Sequence, residues 1–285
     1  MKNKIVIIIL MMMLLTSLFR TDLSAEVLVK YDVDFSLSNI GVVKVLLNTG
    51  SNVKSKLIVQ SGEVKYTYNI ADGTDYVNFP LQLGNGNYVI KIYENTTGTK
   101  YKNVYAESAD VVINPELGVY LISNQQINWS KTDDAIIFAQ KMIDAALAAK
   151  VKKTKDAKAT LTESEKIDVL YSYVVKNITY DYNKIKTLEY NYVPDIDLII
   201  KAKSGICFDY SAVLAAMLRS QGIPAKLIKG YSTTTSVYHA WNEIYLSTEK
   251  RWVIVDTTYD AYMFGHQKKY TMEKSISQYT MELQF

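Results

Sequence analysis

The chain has a single cysteine, Cys207, among 285 residues. No disulfide can form within it, so that one thiol is a buried filler, an intermolecular partner or a reactive group. Proline and glycine are scarce, at 4 and 12 residues, which excludes long disordered linkers. There are two histidines and no CxxC or HExxH spacing, so the usual zinc ligand sets are missing and no metal or other cofactor is expected. GxGxxG, P-loop and GxSxG motifs are missing too. A large excess of either charge is also lacking. Residues 1–25 contain Lys2, Lys4, Arg20 and Asp22, three cations and one anion, so removing them lowers the formal charge from +3 to +1. A near-neutral chain is a poor match for nucleic acid as its main partner.

The first 25 residues read as an export signal. Lys2 and Lys4 precede an unbroken apolar run over residues 5–15, and Leu23-Ser24-Ala25 offers small residues for cleavage. A membrane span needs roughly 20 apolar residues, and this run is shorter. The expectation is a secreted or cell-surface protein with no stable membrane span once the segment is removed; retention of the segment as an anchor is the alternative. No cysteine stands near the cleavage point to carry a lipid.

Two periodicities divide the rest. Residues 26–115 alternate apolar and polar in short runs, among them "EVLVKYDVDF", "SKLIVQ", "EVKYTYNI" and "NYVIKIYE". Turn clusters such as "NTGSN" and "GNGN" separate them. Strands at this spacing predict an antiparallel, immunoglobulin-like β-sandwich. It holds no Cys or His, so it reads as a structural unit or a surface-binding module. Residues 116–131 read as a connector. From residue 132 the period becomes helical, with Ile136, Ile137, Ile143 and Leu147 on one stripe. A second helix follows Thr162, which forms a capping box with Glu165, and carries Ile167, Leu170, Tyr171, Val174 and Val175 inward.

"KSGICFDYSAV" (203–213) opens a third helix, with Ser204 as the expected N-cap and Cys207 as the third helical residue. Its buried face is Ile206, Tyr210, Val213, Leu214, Met217 and Leu218, and Gly222 and Pro224 stop it. A thiol in a first turn faces free N–H groups and the positive end of the helix dipole, which favour a thiolate and can hold an oxyanion. Two strands, 238–246 and 251–258, then form a hairpin. If Ser247 pairs with Lys250, Asp256 becomes the diagonal neighbour of His239 on one face. A carboxylate beside a histidine orients the base that a thiol nucleophile needs. His266, in "MFGHQKK", has no such partner and reads as a surface residue.

The blocks "SGICFDYSAVLAAMLRSQGIPAKLIKGY", "YHAWNEIYL" and "RWVIVDTTYD", with "VLYSYVVKNITYDY" upstream, resemble the transglutaminase-like superfamily of papain-fold thiol enzymes across roughly 162–260. The resemblance implies an α+β fold for residues 132–285, in which a Cys-bearing helix packs on an antiparallel sheet. It implies a triad of Cys207 as nucleophile, His239 as base and Asp256 as orienting carboxylate. Tyr180 and Trp241 are the candidates for a further oxyanion donor. The implied chemistry is attack on a protein carboxamide or peptide carbonyl, thioester formation, and transfer to an amine or to water. The partner is then a protein or peptide substrate, cell-surface or cell-wall associated. Cross-linking, peptidase and amidase activities share this triad, and a non-catalytic extracellular binding module is the alternative outside enzymes.

Overall fold

The computed structural model describes residues 29–51, 53–189 and 191–285; the expected export signal lies outside them. Alternating side chains set the first part. The strands are β1 (Tyr31–Asp34), β2 (Val42–Leu47), β3 (Ser55–Ser61), β4 (Val64–Ile70), β5 (Val77–Pro80), β6 (Gly86–Thr97) and β7 (Lys100–Val111). They form two antiparallel sheets, ordered β1-β2-β5 and β4-β3-β6-β7. Leu57 and Val59 of β3, Tyr66 and Tyr68 of β4, and Tyr88, Ile90 and Ile92 of β6 point inward. They meet Val33, Val43, Val45 and Leu47 of the other sheet in one core. Each such side chain taken from water contributes about 1.5–3 kcal/mol, which is why the period-2 pattern was readable.

The second part contains α1 (Asp134–Thr154), α2 (Glu163–Asn177), β8 (Thr179–Tyr180), α3 (Ile196–Ala202), β9 (Ser204–Gly205), α4 (Cys207–Ser220), β10 (Ala225–Ser232), β11 (His239–Leu246), β12 (Arg251–Val255), α5 (Thr257–Gly265), β13 (Glu273–Lys274) and β14 (Tyr279–Gln284). This is an α+β arrangement. One antiparallel sheet runs β13-β12-β11-β10-β14. Helix α4 lies against it and is buried at every residue from Asp209 to Arg219. A helix covered on all sides is the centre of its layer. The Thr162–Glu165 capping box forms as expected: Glu165 N donates to Thr162 Oγ1 at 3.2 Å, and Thr162 N donates to Glu165 Oε2 at 2.7 Å.

The two parts share a buried seam. Phe285 presents its ring to the edges of Tyr66 and Tyr68, each with centroids 5.8 Å away. The guanidinium of Arg219, on α4, donates to three carbonyls: Ala225 (2.9 Å), Ile122 in the connector (2.6 Å) and Phe285 (3.1 Å). Burial lowers its pKa to about 9. Three carbonyl acceptors supply the partners that a desolvated guanidinium requires.

Candidate active site

The N-terminus of α4 starts later than the sequence suggests. Ser204 is not its cap. Residues 204 and 205 stay extended because they pair in parallel with Thr179 and Tyr180. The cap role passes to Asp209, whose Oδ2 accepts from Ile206 N at 2.9 Å. Cys207 is therefore the first helical residue, not the third. Its N–H is one of the groups that a helix leaves without an internal partner. The approach is tight: a Cβ on Gly205 would lie 2.6 Å from Asp209 Cβ. Only glycine lets the carboxylate fold back over this turn.

The hairpin has the expected register. Leu246 faces Arg251 and Asn242 faces Val255, so continuation sets 241 opposite 256. The second strand is shorter than expected, however. It stops at Val255, because Asp256 turns the chain into α5 as its N-cap, accepting from Tyr259 N at 3.0 Å through Oδ1. Its other oxygen, Oδ2, lies 2.8 Å from His239 Nε2 and accepts from Tyr279 Oη at 2.9 Å. Asp256 is fully buried. Tyr279 comes from β14 and was not anticipated; the alternating "QYTMELQF" at the end of the chain was the available signal.

His239 is mostly buried, and burial disfavours its charge. Hydrogen bonds to Asp256 and to the Cys207 thiol, with the attraction of both groups, outweigh this and raise its pKa to about 10. Nε2 is occupied by Asp256, so Nδ1 is the nitrogen left for sulfur. A cationic imidazole beside a sulfur is the arrangement that generates a thiolate nucleophile. The structure thus brings Cys207, His239 and Asp256 together, from α4, β11 and the start of α5.

Cys207 and His239 line a cleft of about 840 Å³. Tyr180 lines it as well, half-buried, with its phenol raised to about 12 by burial and by the nearby Cys207. It stays protonated and able to donate. Trp241 is placed differently. Its ring is buried between His239 (centroids 6.2 Å) and Tyr279 (5.0 Å), in a cluster with Ile228 and Ile254. Its Nε1 is sealed without a partner and it is not part of the cleft lining. As an oxyanion donor Trp241 is therefore corrected to a packing support for the base, because side chains two apart on a strand stand side by side. His266 is exposed, as expected, but sits on the cleft rim, with Nδ1 2.8 Å from Tyr262 O. The rim also carries Tyr182 (65% exposed), Val237 (54%), Tyr262 (48%) and Phe264 (44%).

The class these features define is an α+β domain with a thiol at a helix N-terminus, in a cleft, facing a histidine–aspartate pair. Residues 145–257 match the family model described as the transglutaminase-like superfamily, and this part of the chain is similar to that superfamily. Among curated relatives, a protein-glutamine gamma-glutamyltransferase of Pseudomonas aeruginosa is 35% identical over 75 residues, 22% of this chain and 11% of that protein. A UPF0252 protein of Methanocaldococcus jannaschii is 28% identical over 182 residues, 56% of this chain and 49% of that protein. The chain spans less than half the length of each of these relatives. Red sea bream transglutaminase overlays with a TM-score of 0.38 at 14% identity, covering 76% of this chain and 48% of that one.

Proposed function

We propose that this protein is an exported thiol enzyme that transfers the acyl group of a protein or peptide carboxamide to an amine or to water. The observation that carries the reading is His239, held by Asp256 at 2.8 Å and electrostatically coupled to Cys207, with both His239 and Cys207 lining an open cleft. The Cys207 thiolate attacks the carbonyl carbon, forming a C–S bond. The oxyanion is held by the Cys207 N–H and by Tyr180 Oη. His239, as imidazolium, gives its proton to the departing nitrogen, and ammonia or an amine leaves a thioester. His239 then takes a proton from the incoming amine or water, which adds to the thioester and expels the thiolate. Asp256 keeps the imidazole oriented and stabilises its charge throughout.

The γ-carboxamide of glutamine is the first substrate to test, since the Pseudomonas relative bears that name. The apolar rim favours a donor set in a segment with apolar neighbours, because exposed aromatic side chains clustered at a cleft mark a recognition surface. The apolar run of residues 5–15 supports export. The test is incubation with a glutamine-bearing protein and a labelled primary amine. Incorporation that Cys207→Ala abolishes supports transfer to an amine. Ammonia release without incorporation, also abolished, supports hydrolysis. Neither product from the wild-type protein refutes both and leaves a binding module.

A further inference from the structure

The site contains a second buried carboxylate that the reaction above does not use. Asp209 lies two residues after Cys207 and is fully buried. Its Oδ2 accepts from Ile206 N (2.9 Å) and from Lys184 Nζ (2.7 Å), and its Oδ1 accepts from Tyr192 Oη. Capping alone does not explain a carboxylate here, since a neutral amide at the third helical position can also accept from the N-cap N–H. A negative charge in the same helical turn as the thiol also opposes thiolate formation. What distinguishes the arrangement is where the neutralising groups come from. Lys184 and Tyr192 both belong to the segment between β8 and α3. In that segment Tyr182 and Ile185, flanking Lys184, line the cleft. Lys184 Nζ also lies over the Tyr192 ring at 4.6 Å, and Tyr192 meets the Phe208 ring edge-on at 6.2 Å. Lys184 therefore points back to the helix while its neighbours wall the substrate path.

We infer that Asp209 and Lys184 form a positioning pair: Asp209 fixes the first turn of α4 so that the Cys207 N–H and thiol face the cleft, and Lys184 screens the sulfur from that carboxylate while fastening the cleft wall to the helix. The inference rests on Cys207 being the nucleophile. Other charged and titratable groups near the thiol are His239 with Asp256 behind it on one side, Tyr180 and Tyr182 on the β8 side, and Lys229 from β10. Lys229 Nζ lies 3.6 Å from the Phe208 ring centroid and donates to Gln126 at 2.8 Å. Near Tyr192, Asp195 at the start of α3 is a further carboxylate. Of the positive groups, Lys184 alone among the described hydrogen bonds reaches Asp209.

The pair is tested by the rate of iodoacetamide alkylation of Cys207 at pH 7, which needs no acyl substrate. Lys184→Met leaves Asp209 unscreened, and alkylation slows on the order of tenfold, the influence of one unit charge at a partly buried site. Lys184→Arg restores the rate. Asp209→Asn keeps an oxygen for Ile206 N and removes the negative charge, and alkylation does not slow. The double variant returns to within about twofold of wild type, as coupled neighbours do. The inference is overturned if both single variants slow alkylation equally, or if Lys184→Met leaves the rate unchanged. Should Asp209→Asn fail to fold, the Met and Arg variants of Lys184, a part-exposed side chain, decide alone. A wild-type protein that alkylates as expected but transfers no acyl group refutes the proposed reaction and leaves this measurement standing.

Discussion

His239 Nε2 and Asp256 Oδ2 lie 2.8 Å apart, although one residue starts a strand and the other caps a helix. The hairpin register brings them close, but the N-cap geometry aims the carboxylate. Oδ1 is held by Tyr259 N and Oδ2 by Tyr279 Oη. One side chain thus performs a structural and an electrostatic task.

Asp256→Asn separates those tasks. Asparagine caps a helix as well as aspartate, so the cap survives, and the stability lost at neutral pH is the part Asp256 lends to the His239 imidazolium. The amide cannot stabilise an imidazolium or fix its tautomer. The kcat for amine incorporation should fall by about 10⁴, the loss seen when the analogous acid of a triad is made an amide. Asp256→Ala should add about 1 kcal/mol of instability from the lost cap. An asparagine variant that keeps wild-type kcat would remove Asp256 from the mechanism.

The raised pKa of His239 makes stability depend on pH. The unfolded side chain titrates at its ordinary value of 6.5 and the folded one at about 10. The folded state therefore holds the proton more tightly. Its contribution is complete below 6.5, declines between the two values, and is lost as pH rises through about 10. Urea unfolding between pH 5.5 and 10.5 should show this decline in wild type and a flatter profile in His239→Gln. Parallel profiles would contradict an imidazolium held by Asp256 and Cys207.

Legibility in the sequence followed range. The β strands were readable because burial on one face imposes period 2 on residues such as Leu57 and Val59. Cys207, His239 and Asp256 could be grouped because hairpin parity and a helix start are local patterns. The errors were places where a distant segment overrode a local signal. Ser204 looks like an N-cap, but the partner that holds it extended is Thr179. Residues 256–258 continue a strand pattern, but the bonds that aim Asp256 come from Tyr259 N and Tyr279. The sheet neighbours β10 and β14 are separated in sequence by β11, β12, α5 and β13, and no local period announces their pairing. Trp241 stands beside the base because the two share a strand face, but strand direction alone cannot say whether a ring is sealed.

Gly205 is a stringent test of the turn before the thiol. Alanine there would put a methyl group 2.6 Å from Asp209 Cβ and 2.9 Å from its Oδ2. Asp209 cannot retreat without losing its bond to Ile206 N. Gly205→Ala should cost about 1–3 kcal/mol, as overpacking of a closed site does. It should also slow Cys207 alkylation. Loss of stability with unchanged thiol reactivity would show that the turn can relax away from the sulfur.

The last prediction concerns how the oxyanion is held. Tyr180→Phe removes a hydroxyl from the cleft and keeps the ring. If Tyr180 Oη donates to the developing oxyanion, kcat should fall about 10²-fold, the lower end for one such donor, with KM nearly unchanged. Trp241→Phe makes the opposite comparison. Its indole nitrogen is sealed away from the cleft, so its removal should leave kcat within a few fold while lowering stability by about 1–3 kcal/mol through lost packing against Tyr279. Measuring kcat, KM and the urea midpoint for both variants distinguishes the roles. A large kcat loss in Trp241→Phe with normal stability would return the indole to the reaction. An unaffected Tyr180→Phe would leave the backbone N–H of Cys207 as the donor at the helix terminus.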